Sequence, residues 1–129
     1  MGRAGSRQVV ESFLADVLSG GAPGRSAELV GDQMFALRTE RFRTAFPELH
    51  VTLRQLVAQD DLVAVHLIGS GTHRGLFQGC PPTGRSWEAT CTAIYQVDDG
   101  RIARAWVNWD LLAIMEQIGA VERVATVSA

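Results

Sequence analysis

Asp110 stands where a strand-like alternation gives way to a helical period, and chemistry in this chain can be organised around it. In residues 101–109, Ile102 and Trp106 share one face, and the same alternation sends Asn108 and Asp110 toward the same interior. A carboxylate facing aromatic walls is desolvated, which raises its pKa and suits it to moving a proton at carbon. The competing duty is structural, because an aspartate directly before a helix is a good N-cap by residue type. The reciprocal capping-box partner is missing, since Ala113 stands at the third helical position. On spacing alone the two duties remain open, and they are compatible.

Other candidate chemistry is thinner. Trp87, Trp106 and Tyr95 are suited either to lining a flat apolar pocket or to filling a core. His66 and His73 are seven apart along a strand and point oppositely, and His50 is distant, so no metal site is expected. The run GSGTHRG at residues 69–75 has the wrong spacing for a phosphate loop and does not open a helix. Ser70 lacks the GxSxG setting of a nucleophile elbow. Cys80 and Cys91 are too few for a disulfide scaffold or a structural zinc site and read as free, packed thiols. All 12 basic residues are arginine, so no lysine Schiff base can form, and any aldol-type chemistry has to run by acid/base or metal assistance.

The elements that position these residues follow from periodicity. Ser6 reads as the cap of a helix whose Val9, Val10, Phe13, Leu14, Val17 and Leu18 recur at helical spacing until Gly20 and Gly21. A short helix around residues 27–30 and a third through Leu37, Phe42, Ala45 and Phe46, stopped by Pro47, precede the sheet. Strands are expected at 51–58, 62–72, 86–97 and 101–109, the last two joined by an Asp98-Asp99-Gly100 turn. Trp87, Ala89, Cys91, Ala93, Tyr95 and Val97 share a buried face, whereas the last strand reads as apolar on both faces. A closing helix is expected to turn Leu111, Leu112, Met115 and Ile118 to one side, ahead of a frayed tail. Helices first, then a sheet, then a helix is an α+β order. There are too few helices to cover both faces of the sheet, so a homodimer is expected.

The bulk properties bound the rest. The 129 residues fit a single domain, with an ordered core of about residues 6–120. The hydrophobic share of 47% and formal charge of -2 are ordinary for a soluble chain and give no reason to expect nucleic acid or a membrane surface as partner. No apolar stretch is long enough to span a bilayer and no signal core opens the chain, so the reading is cytoplasmic.

The stretch GTHRGLFQGCPPTGR at 71–85 strongly resembles the SnoaL-like polyketide cyclases, a branch of the nuclear transport factor 2-like fold. The ending with Asp99, Gly100, Arg101, Ile102, Trp106 and Asp110 before Glu116-Gln-Ile-Gly119 agrees, as does Phe46-Pro-Glu-Leu49 with Ala58-Gln-Asp-Asp61. The resemblance implies a cone-shaped α+β barrel, a curved mixed or antiparallel sheet packed on the N-terminal helices around an apolar pocket. It further implies a dimer, and Asp110 as acid/base for intramolecular aldol ring closure on an anthracycline-like aromatic polyketide, with no cofactor or metal. Asn108 and His73 would be its hydrogen-bond partners, and Trp106, Trp87, Tyr95, Phe13 and Phe77 would hold the substrate. The chain departs from the family in offering Phe13 where a tyrosine is usual and in a short segment between Leu29 and Leu37. Relatives of this fold imply two alternatives: a cofactor-independent hydroxylase of an anthracycline-type ring, and a non-catalytic small-molecule binding or dimerisation module.

Overall fold

The computed structural model describes residues 3–122, and the tail expected to fray lies, from residue 123 on, outside the described residues. Helix α1 (Arg3–Ser12) passes directly into a π-helical turn, Phe13–Leu18, closed by the Ser19 N–H on the Leu14 carbonyl. Val10, Phe13, Leu14, Val17 and Leu18 form its buried stripe, as the periodicity requires. Ser6 is not the cap: the helix is under way at Arg3, and Ser6 is buried within it. Gly20, at φ +78°, supplies the left-handed turn that ends the segment. A short helix α2 (Ser26–Leu29) follows. Helix α3 (Gln33–Ala45) is capped by Asp32, whose Oδ1 accepts from the Met34 and Phe35 N–H groups.

The sheet is antiparallel throughout and runs in chain order: β1 (His50–Gln59), β2 (Leu62–Thr72), β3 (Ser86–Asp98) and β4 (Arg101–Trp109). Asp99 and Gly100, both at positive φ, form the two-residue hairpin turn between β3 and β4. Trp87, Ala89, Cys91, Ala93, Tyr95 and Val97 are all buried, together with Val63, Val65 and Leu67 of β2, beneath the helices. The layout is the expected α+β one, with helices gathered on one face of an open, curved sheet. No helix among the described residues is long and apolar enough to cross a membrane.

Strand β4 departs from simple alternation. Val97 pairs with Ile102 and Gln96 with Arg104, so Ala103 is an unpaired bulge residue. Ile102 is pinned inward by a bridge to Val30, by the Gly31 N–H on its carbonyl, and by Arg101, whose guanidinium donates to the Ala27 and Val30 carbonyls. Beyond the bulge the phase is reversed. Ala105, Val107 and Trp109 sit beside the inward Tyr95, Ala93 and Cys91, while Trp106 and Asn108 sit beside the outward Ile94 and Thr92. The expected burial of Trp106 and Asn108 with Ile102 is therefore overturned, and both are exposed. Neither face of β4 is fully covered: Trp106 and Val107 are 47% and 37% exposed.

Helix α4 (Leu111–Gln117) also differs in phase from the expectation, burying Ile114 and Ile118 while Leu111 and Leu112 face outward. Gln117 fixes its end to the sheet. The side-chain amide accepts from the Glu88 N–H (2.9 Å) and donates to the Glu88 and Ala113 carbonyls (2.8 and 3.0 Å), completing β3 where β4 no longer reaches it.

The long β2–β3 loop is stitched to α3 by its backbone. Arg74 and Gly75 N–H groups both donate to the Ala45 carbonyl, one of the orphan acceptors at the end of α3. A Cβ on Gly75 would lie 2.6 Å from the Thr44 carbonyl oxygen, so only glycine permits this approach. Gly75→Ala is expected to destabilise the fold by about 1–3 kcal/mol, read as a lowered urea midpoint with unchanged slope. Gln117→Ala is expected to lose about 1–2 kcal/mol by the same measurement.

Candidate active site

The inner face of the sheet carries two aromatic groups. Phe13, Phe35 and Tyr95 cluster under α1 and α3, with ring centroids 5.4, 5.7 and 6.1 Å apart. Burial raises the Tyr95 phenol above its ordinary pKa. Nearer α4, Phe42, Phe46, Phe77, Trp87 and Trp109 form the second group. Missing Cβ atoms make room for it: at Gly69 one would lie 2.5 Å from the Trp109 indole, and at Gly71 one would lie 3.2 Å from both Trp87 and Phe46.

Phe42 and Trp109 are only half-buried, and so is Ala105, which leaves the inner face of β4 partly open toward its end. Trp109 stacks on Phe42 at 5.1 Å with 22° between the planes, and it meets the Trp87 edge at 5.7 Å and 89°. Asp110 follows Trp109 directly. Its backbone N–H donates to the Thr90 carbonyl, and its Oδ1 accepts from the Ala113 N–H at 3.2 Å, so the capping duty is real. The carboxylate is exposed and its second oxygen has no hydrogen bond among the described residues. The enclosure by aromatic walls expected from alternation is not formed, because the bulge at Ala103 reverses the phase before Asp110 is reached.

The expected site residues are only partly brought together. Trp87, Tyr95, Phe13 and Phe77 line the inner face, whereas Trp106 and Asn108 lie on the outer one. The outer pair border a concavity of about 440 Å³ with Val57, His66 and Ile94, and the Arg104 guanidinium lies over the Trp106 ring at 5.6 Å. His73 is fully buried in the β2–β3 loop. Its Nδ1 accepts the Thr83 N–H (3.2 Å) and lies 3.1 Å from Thr83 Oγ1, while its backbone pairs with Arg85 and Gly84. Arg85 beside His73 and Thr90 beside Asp110 are five residues apart, roughly 16 Å at strand rise, so His73 is not a partner of Asp110 in this arrangement. Alternation alone missed Trp109, Phe42 and Phe46. The signal for Trp109 was the row Ala105, Val107, Trp109, legible as inward only once the bulge is known.

Among the described residues no group of three His, Cys, Asp or Glu could hold a metal ion. Both cysteines are free. Burial pushes the Cys91 thiol up to about 12, which keeps it protonated and unreactive at ordinary pH, while Cys80 is partly exposed.

An antiparallel sheet whose aromatic inner face is packed under helices places the chain in the α+β class. Within that class the sequence matches the family described as SnoaL-like polyketide cyclase over residues 4–118, and the chain belongs to that family. The fold is shared with TsrD from Streptomyces laurentii (25% identity, TM-score 0.79, covering 94% of this chain and 99% of that one). It is also shared with IdmH from Streptomyces antibioticus, provisionally assigned as a polyketide cyclase (25% identity, TM-score 0.71, 88% and 98% covered). AclR from Streptomyces galilaeus, provisionally assigned as a hydroxylase, has the same fold at 19% identity (TM-score 0.79, 97% and 87% covered). No curated protein matches the chain.

Thiol titration of the native protein with a disulfide reagent at pH 8 is expected to report one reactive cysteine, Cys80, rising to two on denaturation. Native labelling of Cys91 would contradict its enclosure.

Proposed function

We propose that the chain, acting as a single domain in the cytoplasm, closes a ring on an aromatic polyketide by intramolecular aldol chemistry, with Asp110 as acid/base. The observation that carries this reading is the position of Asp110, the residue after the stacking surface of Trp109, with one carboxylate oxygen held by the helix and the other free. That free oxygen takes the proton from a carbon flanked by carbonyl groups. The substrate delocalises the resulting enolate charge, the enolate carbon bonds to a second carbonyl carbon, and the alkoxide so formed is protonated. Orientation of the two reacting carbons and movement of protons are all the protein has to supply, in keeping with a chain that contains no lysine.

Asparagine caps helices about as well as aspartate, so Asp110→Asn separates the two duties of this residue. The variant is expected to keep its melting temperature and to lose about 100-fold or more in kcat on a linear polyketide ester, followed by product chromatography. Wild-type turnover in that variant would sink the assignment and favour a binding module. Oxygen uptake with a dihydroquinone substrate would instead favour the hydroxylase.

The same reading includes a homodimer formed by the outer sheet face, where Val57, Ile94 and Trp106 are exposed around the outer concavity. A second copy is the occupant, since a two-fold axis through this face sets the same apolar residues of each copy against the other. Sedimentation equilibrium is expected to give a dimer for the wild type and a monomer for Ile94→Arg. A monomeric wild type at high concentration would exclude it.

A further inference from the structure

A groove of about 1060 Å³ lies at the end of the sheet opposite Asp110. Thr90, beside Asp110, and Val97, which lines the groove, are seven residues apart on β3, roughly 23 Å at strand rise. One wall is a side of α1. Gly5, Gln8, Val9 and Ser12 recur there at three- and four-residue steps, so the groove runs along the helix and not off its end. The facing wall is α2 together with the β1–β2 and β3–β4 turns. Val9 and the buried Leu29 and Val97 give the groove an apolar floor.

The rim is acidic, and the protein does not neutralise it from within. Arg25 is taken by Asp16 (2.7 Å) and Glu28 (3.0 Å), and Arg101, next to Asp98 in the ladder, gives its guanidinium to the Ala27 and Val30 carbonyls. Asp61 accepts from the neutral Gln96 carboxamide at 2.9 Å. Asp98 and Asp99 have no ion pair or side-chain hydrogen bond among the described residues.

Acidic turns alone are ordinary surface, but the helix wall adds an independent feature. Ser6 is 9% exposed, lines the groove and makes no side-chain hydrogen bond among the described residues. A hydroxyl so far withdrawn from water is ordinarily paired, and the groove is the space it borders. Its oxygen accepts from an N–H donor, and an ammonium group carries several.

We propose that this groove is a second small-molecule site, which takes an organic ammonium ion. The ligand's apolar body lies on Val9, Leu29 and Val97, and its N–H groups reach the Ser6 hydroxyl and the carboxylates of Asp98 and Asp99. Other classes fit less well. Among the described residues no group of three His, Cys, Asp or Glu could hold a metal ion, and the apolar floor offers a bare cation no ligand. An anion meets the repulsion of the rim, and a plain hydrocarbon leaves the hydroxyl and the carboxylates unanswered.

Hexylammonium and hexan-1-ol share a chain and differ in charge, so their relative affinity isolates the rim and the hydroxyl from the floor. Binding is followed by ¹H–¹⁵N NMR at low salt. The wild type is expected to bind hexylammonium about tenfold more tightly than hexanol, with shifts at Ser6, Gln8, Val97 and Gly100 and none at Asp110. The double variant Asp98→Asn, Asp99→Asn is expected to bring the two affinities within about twofold of each other. Asparagine tolerates the left-handed backbone that Asp99 adopts at φ +52°, so the turn survives. Ser6→Ala is expected to weaken hexylammonium about threefold without lowering the melting temperature, since alanine is the better helix former. Hexanol bound as tightly as hexylammonium, an affinity unchanged in either variant, or shifts confined to another surface would each overturn the proposal. An equal response to magnesium chloride at matched ionic strength would do the same, because the rim would then hold counterions only. If the double variant fails to fold, Ser6→Ala and the shift map still decide. Asp110→Asn is expected to bind hexylammonium as the wild type does, so this site and the ring closure fail separately.

Discussion

The unpaired residue Ala103 decides what the last strand presents to the interior. By inserting one residue opposite the Gln96–Val97 step, it lets Ile102 dock under Val30 and still turns Ala105, Val107 and Trp109 toward the buried row of β3. Without the bulge, Ile102 and Trp106 would share a face and the aromatic stacking surface would be built from a different tryptophan. The contacts that hold this register are long-range in the chain. Arg101 and Gly31 tie the start of β4 to α2 and the segment after it through three hydrogen bonds, which hold Ile102 inward.

Glycine placement completes what the bulge begins. Gly69 and Gly71 lie on the inward side of β2 opposite Ala89 and Trp87, and the space of their absent side chains is taken by Trp109, Trp87 and Phe46. Large rings thus pack against bare backbone, and the interior is aromatic where β2 supplies no side chain of its own. Enclosure this tight is also what isolates Trp87 Nε1 and His73 Nε2 from solvent.

The stretch most diagnostic of the family turns out to be largely architectural. His73 organises its loop through Thr83, Gly84 and Arg85; Gly75 allows the loop to touch the end of α3; and Phe77 packs on Phe46 at 4.8 Å. Gln117 plays a comparable part at the other end, holding α4 to Glu88 and thereby fixing the helix that Asp110 begins. Most of these characteristic residues hold the loop, the aromatic packing and the start of α4 in place.

Sequence alone determined the order of elements, the helix stripe from Val10 to Leu18, the two-residue turn at Asp99 and Gly100, the inward row of β3 and the family itself, because each rests on short-range periodicity or on a contiguous motif. It also left Asp110 open between helix cap and proton shuttle, and the hydrogen bond from the Ala113 N–H displays the cap. Only the tertiary structure decided which residues of β4 face inward, that Trp109 and not Trp106 joins the aromatic cluster, that His73 lies far from Asp110, and that Ile114 and not Leu112 is buried in α4. A bulge shifts the phase of every residue after it, and its position was set by contacts to Ala27, Val30 and Gly31, more than seventy residues away in the chain, where no local pattern can register it.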